Sequence, residues 1–189
     1  MKGKLVGLFM VLLVILCFQS ACLAADEFKD IPWVLRTATA EVVAINANAM
    51  EITLKGSFGN YVTTCAVDKK VKNLSTFAVG DKIRAEFYMS LASEVRKPTP
   101  EEKKTQFVKL DETSPLPPNA TPGSVVKMIR NLVTVKIYDP LTGFLVVKNS
   151  KGNEFWINTV SQSFRTKVAA GDVVVVKYSP PYIIALKKL

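Results

Sequence analysis

The feature that most constrains this chain is a short stretch that occurs twice. Val79-Gly80-Asp81-Lys82-Ile83 returns 91 positions later as Ala170-Gly171-Asp172-Val173-Val174, and what surrounds each copy returns with it. Glycine gives the backbone a turn that other residues reach only with strain. The aspartate after it can accept hydrogen bonds from nearby amides as the next strand begins. Period-two alternation follows in both copies: Ile83, Ala85 and Phe87 share one face, as do Val174, Val176 and Tyr178. This pattern predicts a tandem repeat of a small β domain.

The rest of each repeat agrees. The first spans residues 36–97 and the second 124–189, with residues 25–35 leading into the first strand. Ala40, Val42 and Ala44 alternate as an opening strand and are matched by Val133, Val135 and Ile137. Met50 to Lys55 and Phe144 to Lys148 supply second strands, and Tyr61 to Val67 and Glu154 to Thr159 third strands. Irregular pieces follow, at Asp68 to Phe77 and Ser161 to Ala169, before the two Gly-Asp turns; Leu91 to Val95 and Tyr182 to Leu186 close the repeats. Three strands, an irregular piece and two strands is the order of the five-stranded OB barrel. The expected fold is therefore all-β, two small OB-like barrels in tandem, with an SH3-like barrel as the competing topology. Between the repeats, residues 98–123 carry six prolines and the run Glu101-Glu102-Lys103-Lys104. Proline fixes its own backbone and withholds a donor, so this reads as a semi-extended linker, with at most a short helix over Glu101 to Val108.

Several of these pieces resemble a known family. Ala44-Ile45-Asn46, Ile52-Thr53-Leu54-Lys55-Gly56, Val71-Lys72-Asn73-Leu74, Val79-Gly80-Asp81 and Leu91-Ala92-Ser93-Glu94-Val95 together resemble uncharacterised secreted bacterial proteins built from one or two small OB-like repeats. The resemblance implies a fold and an exported location and brings no catalytic residues. The second repeat departs from the pattern at Pro180-Pro181 and in its shorter irregular piece.

Residues 1–24 have the layout of a secretory signal peptide: a basic head at Lys2 and Lys4, an apolar run from Leu5 to Phe18, and small residues before Ala25. The apolar run is shorter than the ~20 residues of a membrane span. Cleavage near Ala24 predicts a periplasmic or secreted protein. Lipid modification of Cys22 is the alternative, disfavoured by Gln19 where lipoprotein signals carry an aliphatic residue. The processed chain keeps one cysteine, Cys65, and so no internal disulfide framework; the thiol reads as a small buried hydrophobe.

The chemistry is sparse. The chain has no histidine, the commonest general base and metal ligand, and no cysteine-rich metal spacing or glycine-rich phosphate loop. A non-enzymatic protein without cofactor or metal is expected. Charge says more: residues 36–97 hold nine basic and six acidic side chains, whereas residues 124–189 hold ten and three. Lys127, Arg130, Lys136, Lys148, Lys151 and Lys177 form a candidate basic surface for an envelope polyanion, while export argues against nucleic acid. The repeats differ on one face. Glu51, Thr53, Lys82 and Arg84 correspond to Phe144, Val146, Val173 and Val175. A strand apolar on both faces is buried on both, so these four are expected to be covered, by the chain itself or by a partner. Two functions follow: a binding or scaffold module of the bacterial envelope, or an assembly subunit packing through this face.

Overall fold

The computed structural model describes residues 33–57, 61–72, 74–105, 107–159 and 168–189. The expected signal peptide of residues 1–24 and most of the second irregular piece lie outside the described residues. The fold is all-β, and Ile31–Leu189 forms one compact unit. Its strands are β1 (Leu35–Asn46), β2 (Glu51–Gly56), β3 (Val62–Val67), β4 (Lys82–Tyr88), β5 (Leu91–Arg96), β6 (Phe107–Thr113), β7 (Lys127–Asp139), β8 (Phe144–Asn149), β9 (Glu154–Thr159), β10 (Val173–Ser179) and β11 (Tyr182–Lys188). The helix weighed at Glu101 to Val108 is a single 3-10 turn at Glu102–Lys104, followed by β6.

The strands form two sheets. The first closes on itself in the order β1-β2-β3-β11-β4, because β1 pairs with both β2 and β4. The second runs β10-β5-β9-β8-β7-β6, with a further pairing of β10 to β7. Each sheet thus holds strands one to four of its own repeat and the fifth strand of the other. β11 pairs antiparallel with β4 and parallel with β3. Reciprocally, β5 pairs antiparallel with β10 and parallel with β9. Even the irregularities match, since Ser93 and Ile184, equivalent positions, are the residues skipped in the two antiparallel registers.

This exchange has a local cause. β4 and β5 are joined only by Met89-Ser90, and β10 and β11 only by Pro180-Pro181. A two-residue hairpin needs backbone with positive φ, which glycine, asparagine or aspartate supplies. Neither junction has it: Met50 and Asn119 are the positive-φ non-glycine residues among those described. Both junctions therefore run on, and each fifth strand lands on the neighbouring sheet.

A bulge recurs at equivalent places in β1 and β7, between Val42 and Ala44 and between Val135 and Ile137. It reverses the alternation. The expected inward Ala44 and Ile137 point outward, Ile137 with 56% of its surface exposed, while Ile45 and Tyr138 pack on the two cores. The Gly-Asp turns are the same in both sheets. Gly80 and Gly171 have φ of +91° and +92°. Asp81 Oδ2 accepts from the Ala78 amide at 2.8 Å, and Asp172 Oδ2 from the Ala169 amide at 2.9 Å. Each glycine amide donates to the opening strand, Gly80 to Val42 and Gly171 to Val135, both at 2.8 Å.

The proline-rich segment is more than a spacer. β6 lies antiparallel on β7, Lys109 pairs with Glu51 of the first sheet, and Glu112 pairs with Lys177 of the second. Leu116, Ala120 and Val126 then pack with Trp33, Ala66, Tyr88 and Tyr182 in a third core between the sheets. Trp33 meets Tyr88 edge-on at 5.8 Å. At the margin of this core Asp68 is fully buried. It accepts from the Lys70 amide (2.8 Å), from both the amide and the hydroxyl of Thr121, and from the Tyr182 hydroxyl (2.9 Å). One carboxylate thereby ties β3, the linker and the exchanged β11.

Candidate functional site

Pairing registers align the two interiors residue by residue. Ala40 faces Gly56 and Ile83 as Val133 faces Asn149 and Val174. Leu54 faces Thr63 as Val147 faces Phe155, and Ile52 faces Cys65 as Leu145 faces Ile157. Ala38 faces Ala85 as Asn131 faces Val176, and Arg36 faces Phe87 as Ile129 faces Tyr178. So Ala38, Ala40, Thr63, Cys65 and Ala85 of the first sheet stand where the second has Asn131, Val133, Phe155, Ile157 and Val176. At each of these five places the first sheet has the smaller side chain; Leu54 for Val147, Ile83 for Val174 and Arg36 for Ile129 run the other way.

In the second sheet the larger residues fill the interior. Phe155 and Tyr178 stack at 5.5 Å between centroids, tilted by 32°, within a core that includes Val133, Val147, Ile157 and Val176. Burial pushes the Tyr178 phenol well above its ordinary range, with a hydrogen bond to Asn131 acting the other way. In the first sheet the corresponding space is a cavity of about 480 Å³. Its inner wall is Ala40, Leu54, Cys65 and Ala85, its sides include Ala38, Thr63, Phe87 and Met89, and its outer wall is Glu154, Phe155 and Trp156 of β9. Arg36, Ser57 and Tyr61 complete the rim. Tyr61 meets Trp156 edge-on at 5.2 Å, and Phe144 meets the same indole at 5.4 Å. The cavity is thus the mouth of the first sheet, with an aromatic wall lent by the second.

Electrostatically the site is nearly bare. Burial pushes the Cys65 thiol up to about 12, so it stays protonated at neutral pH and lines the wall as an apolar group. Arg36, at the rim, makes one described hydrogen bond, to its neighbour's carbonyl at Leu35 (3.2 Å). Its counterpart, Ile129, carries no charge. Glu154 has Lys148 directly opposite it in the β8–β9 register. Among the described residues, no three His, Cys, Asp or Glu side chains are grouped as metal ligands.

The candidate basic residues fall into two groups by what lies beside them. Lys127, Arg130 and Lys177 lie beside β6, where Lys127 donates to the Asp111 carbonyl (2.9 Å) and Lys177 is paired with Glu112. Lys136, Lys148 and Lys151 are exposed, on β7, β8 and the turn after it, with no ion pair among the described residues. Of the six residues of the candidate basic surface, Lys127 and Lys177 are thus engaged by β6.

The candidate packing face also divides. Val146 and Val175 are 3% and 2% exposed within the single chain, and Phe144 is half-buried against Trp156. Val173 is 47% exposed. Cover by the chain itself therefore stops short of Val173. This residue opens β10 opposite Thr134, beyond the reach of β5, whose pairing with β10 begins at Val175.

The chain matches no protein-family model, no curated protein and no solved structure. The cavity at Thr63 and Arg36 was missed in the sequence. Its signal lies in the paired small residues, which stand out only after the two repeats are aligned by register.

Proposed function

We propose that this is an exported, non-enzymatic binding module of two OB-like barrels with divided roles: the second is packed solid, and the first holds a ligand. The strand order one-two-three-five-four-one in both sheets supports the OB-like reading, with the fifth strands exchanged. The observation that carries the binding function is the cavity of about 480 Å³ in the first barrel. It falls in the range of about 300–1,000 Å³ that small-molecule sites occupy, at the barrel mouth, where such sites occur. Protein interiors otherwise leave few voids larger than a water molecule. The resemblance to secreted proteins and the layout of residues 1–24 support action in the bacterial envelope.

The test is titration of the purified protein with an uncharged apolar dye such as phenylnaphthylamine. Saturable enhancement at one dye per chain is expected, and Thr63→Phe, which installs the second barrel's own residue, should abolish it while leaving the β-sheet spectrum intact. A wild-type protein that enhances no dye fluorescence, or a Thr63→Phe protein that binds as the wild type does, removes the cavity as the binding site.

A further inference from the structure

The rim gives the ligand a polarity, and this step rests on the reading of the cavity as a binding site. The walls that Ala38, Ala40, Cys65, Ala85 and Phe87 provide offer an incoming molecule no charge. The one cationic side chain among the lining residues is Arg36, at the start of β1, and its guanidinium has no acidic partner among the described residues. The one acidic lining residue, Glu154, faces Lys148 across the β8–β9 ladder. An apolar cavity with an unpaired guanidinium at its mouth suits a molecule with an apolar tail and a carboxylate head. Arginine presents a planar fork of donors that matches a carboxylate in two-point geometry. The second barrel is the internal control, because Ile129 and Phe155 there replace Arg36 and Thr63.

We infer that the first barrel binds a single-chain anionic amphiphile, of the kind a medium-chain carboxylate represents, with the tail in the cavity and the head on Arg36. Volume permits it. The cavity of about 480 Å³ equals roughly sixteen water molecules at about 30 Å³ each in the liquid. Cys65, in the inner wall, would be covered by the tail, and Trp156, in the outer wall, would contact it.

The experiment is displacement of the bound dye by a series of straight-chain carboxylates, with dodecanol as the uncharged comparison. Each added methylene should tighten binding about threefold to fourfold until the cavity is full. Dodecanoate should bind at least about tenfold more tightly than dodecanol, a difference that corresponds to one charge-assisted hydrogen-bonded contact. Arg36→Ile, which copies the second barrel, should erase that difference, read as the ratio of dodecanoate to dodecanol binding within the one variant. Bound dodecanoate should also slow alkylation of Cys65 by a small neutral maleimide, as mapped on the peptide containing Cys65. Equal binding of dodecanoate and dodecanol, or an Arg36→Ile protein that keeps the preference, overturns the assignment of the head while the dye titration still stands. Dodecanoate that leaves the dye bound and Cys65 unprotected overturns the proposal outright. A protein that fails to bind even the dye instead overturns the underlying reading of the cavity.

Discussion

The two sheets are built on one backbone plan and filled differently. Their Gly-Asp turns superpose hydrogen bond for hydrogen bond, their opening strands bulge at the same place, and each borrows its last strand from the other. What differs is side-chain volume at aligned interior positions: Thr63 against Phe155, Cys65 against Ile157, Ala85 against Val176. Backbone hydrogen bonding specifies the frame, and interior volume decides whether the frame is a core or a container. A duplicated fold can therefore keep one copy for stability and release the other for binding, with the exchanged strands fastening the two together.

The comparison is broken most directly by opening the filled interior of the second sheet. Phe155→Thr gives the second interior the residue of the first, and should cost about 3–5 kcal/mol, because a large buried ring is lost and its space is not refilled. Chemical denaturation of the whole protein reads this as a lower midpoint. The reverse change, Thr63→Phe, should shift the midpoint by no more than about 1 kcal/mol, since the cavity already has room. Equal losses in the two variants would mean that the first interior is as full as the second.

Next in size is the tie that Asp68 makes beside the first sheet. Asp68 follows β3, and the residue that follows β9 in the sequence is Val160, which has no acceptor side chain. Asp68→Ala should cost about 2–3 kcal/mol, because the Thr121 and Tyr182 donors lose a charged acceptor in a buried place. Burial works against ionisation of this carboxyl, but hydrogen bonds from the Lys70 amide, Thr121 and Tyr182 outweigh it and hold it below the usual carboxylate range. A depressed folded value means stability that is complete above the unfolded value of about 3.9 and is lost as pH falls through the folded one. Acid titration of the melting temperature should therefore show a decline below about pH 4 that Asp68→Asn makes shallower.

Much of this frame was legible in the sequence, for reasons that also explain what was not. The Gly-Asp turns announce themselves because positive φ demands glycine, and alternation in Ile83–Phe87 and Val174–Tyr178 reports their buried face directly. Alternation says nothing about which strand lies alongside. Strand exchange is written instead in two junctions, Met89-Ser90 and Pro180-Pro181, through the turn residues they lack. β6 was hidden because Phe107 to Thr113 sits on the edge of its sheet with both faces largely exposed, so no period-two hydrophobic signal marks it. The bulges shift Ile137 and Ala44 outward, which a strict alternation cannot foresee.

A smaller effect tests the shared frame. Gly80 and Gly171 both have open space where a Cβ would stand, so alanine there meets no clash and costs backbone strain alone. Each substitution should destabilise by about 1–2 kcal/mol, and by the same amount in either sheet. Unequal costs, read from denaturation midpoints of the two single variants, would show that the turns differ in how much of the fold depends on them.

The smallest expected effect concerns the outer faces. Val173 corresponds to Lys82, and both are exposed, whereas Val175 corresponds to the exposed Arg84 and is buried. Val173→Arg should change stability by no more than about 0.5 kcal/mol, as surface substitutions do, and Val175→Arg should cost at least about 1.5–3 kcal/mol, the transfer value of a valine-sized side chain. The pair also decides between a binding module and an assembly subunit. A second copy seated on this face would have to use Val173, the member of the face that the chain leaves open. Sedimentation of wild type and Val173→Arg across protein concentrations should give the same mass if the barrels act as a monomeric binder. An oligomer in the wild type that Val173→Arg converts to a folded monomer would instead place the function of the second barrel in assembly, and leave the cavity of the first as its cargo site.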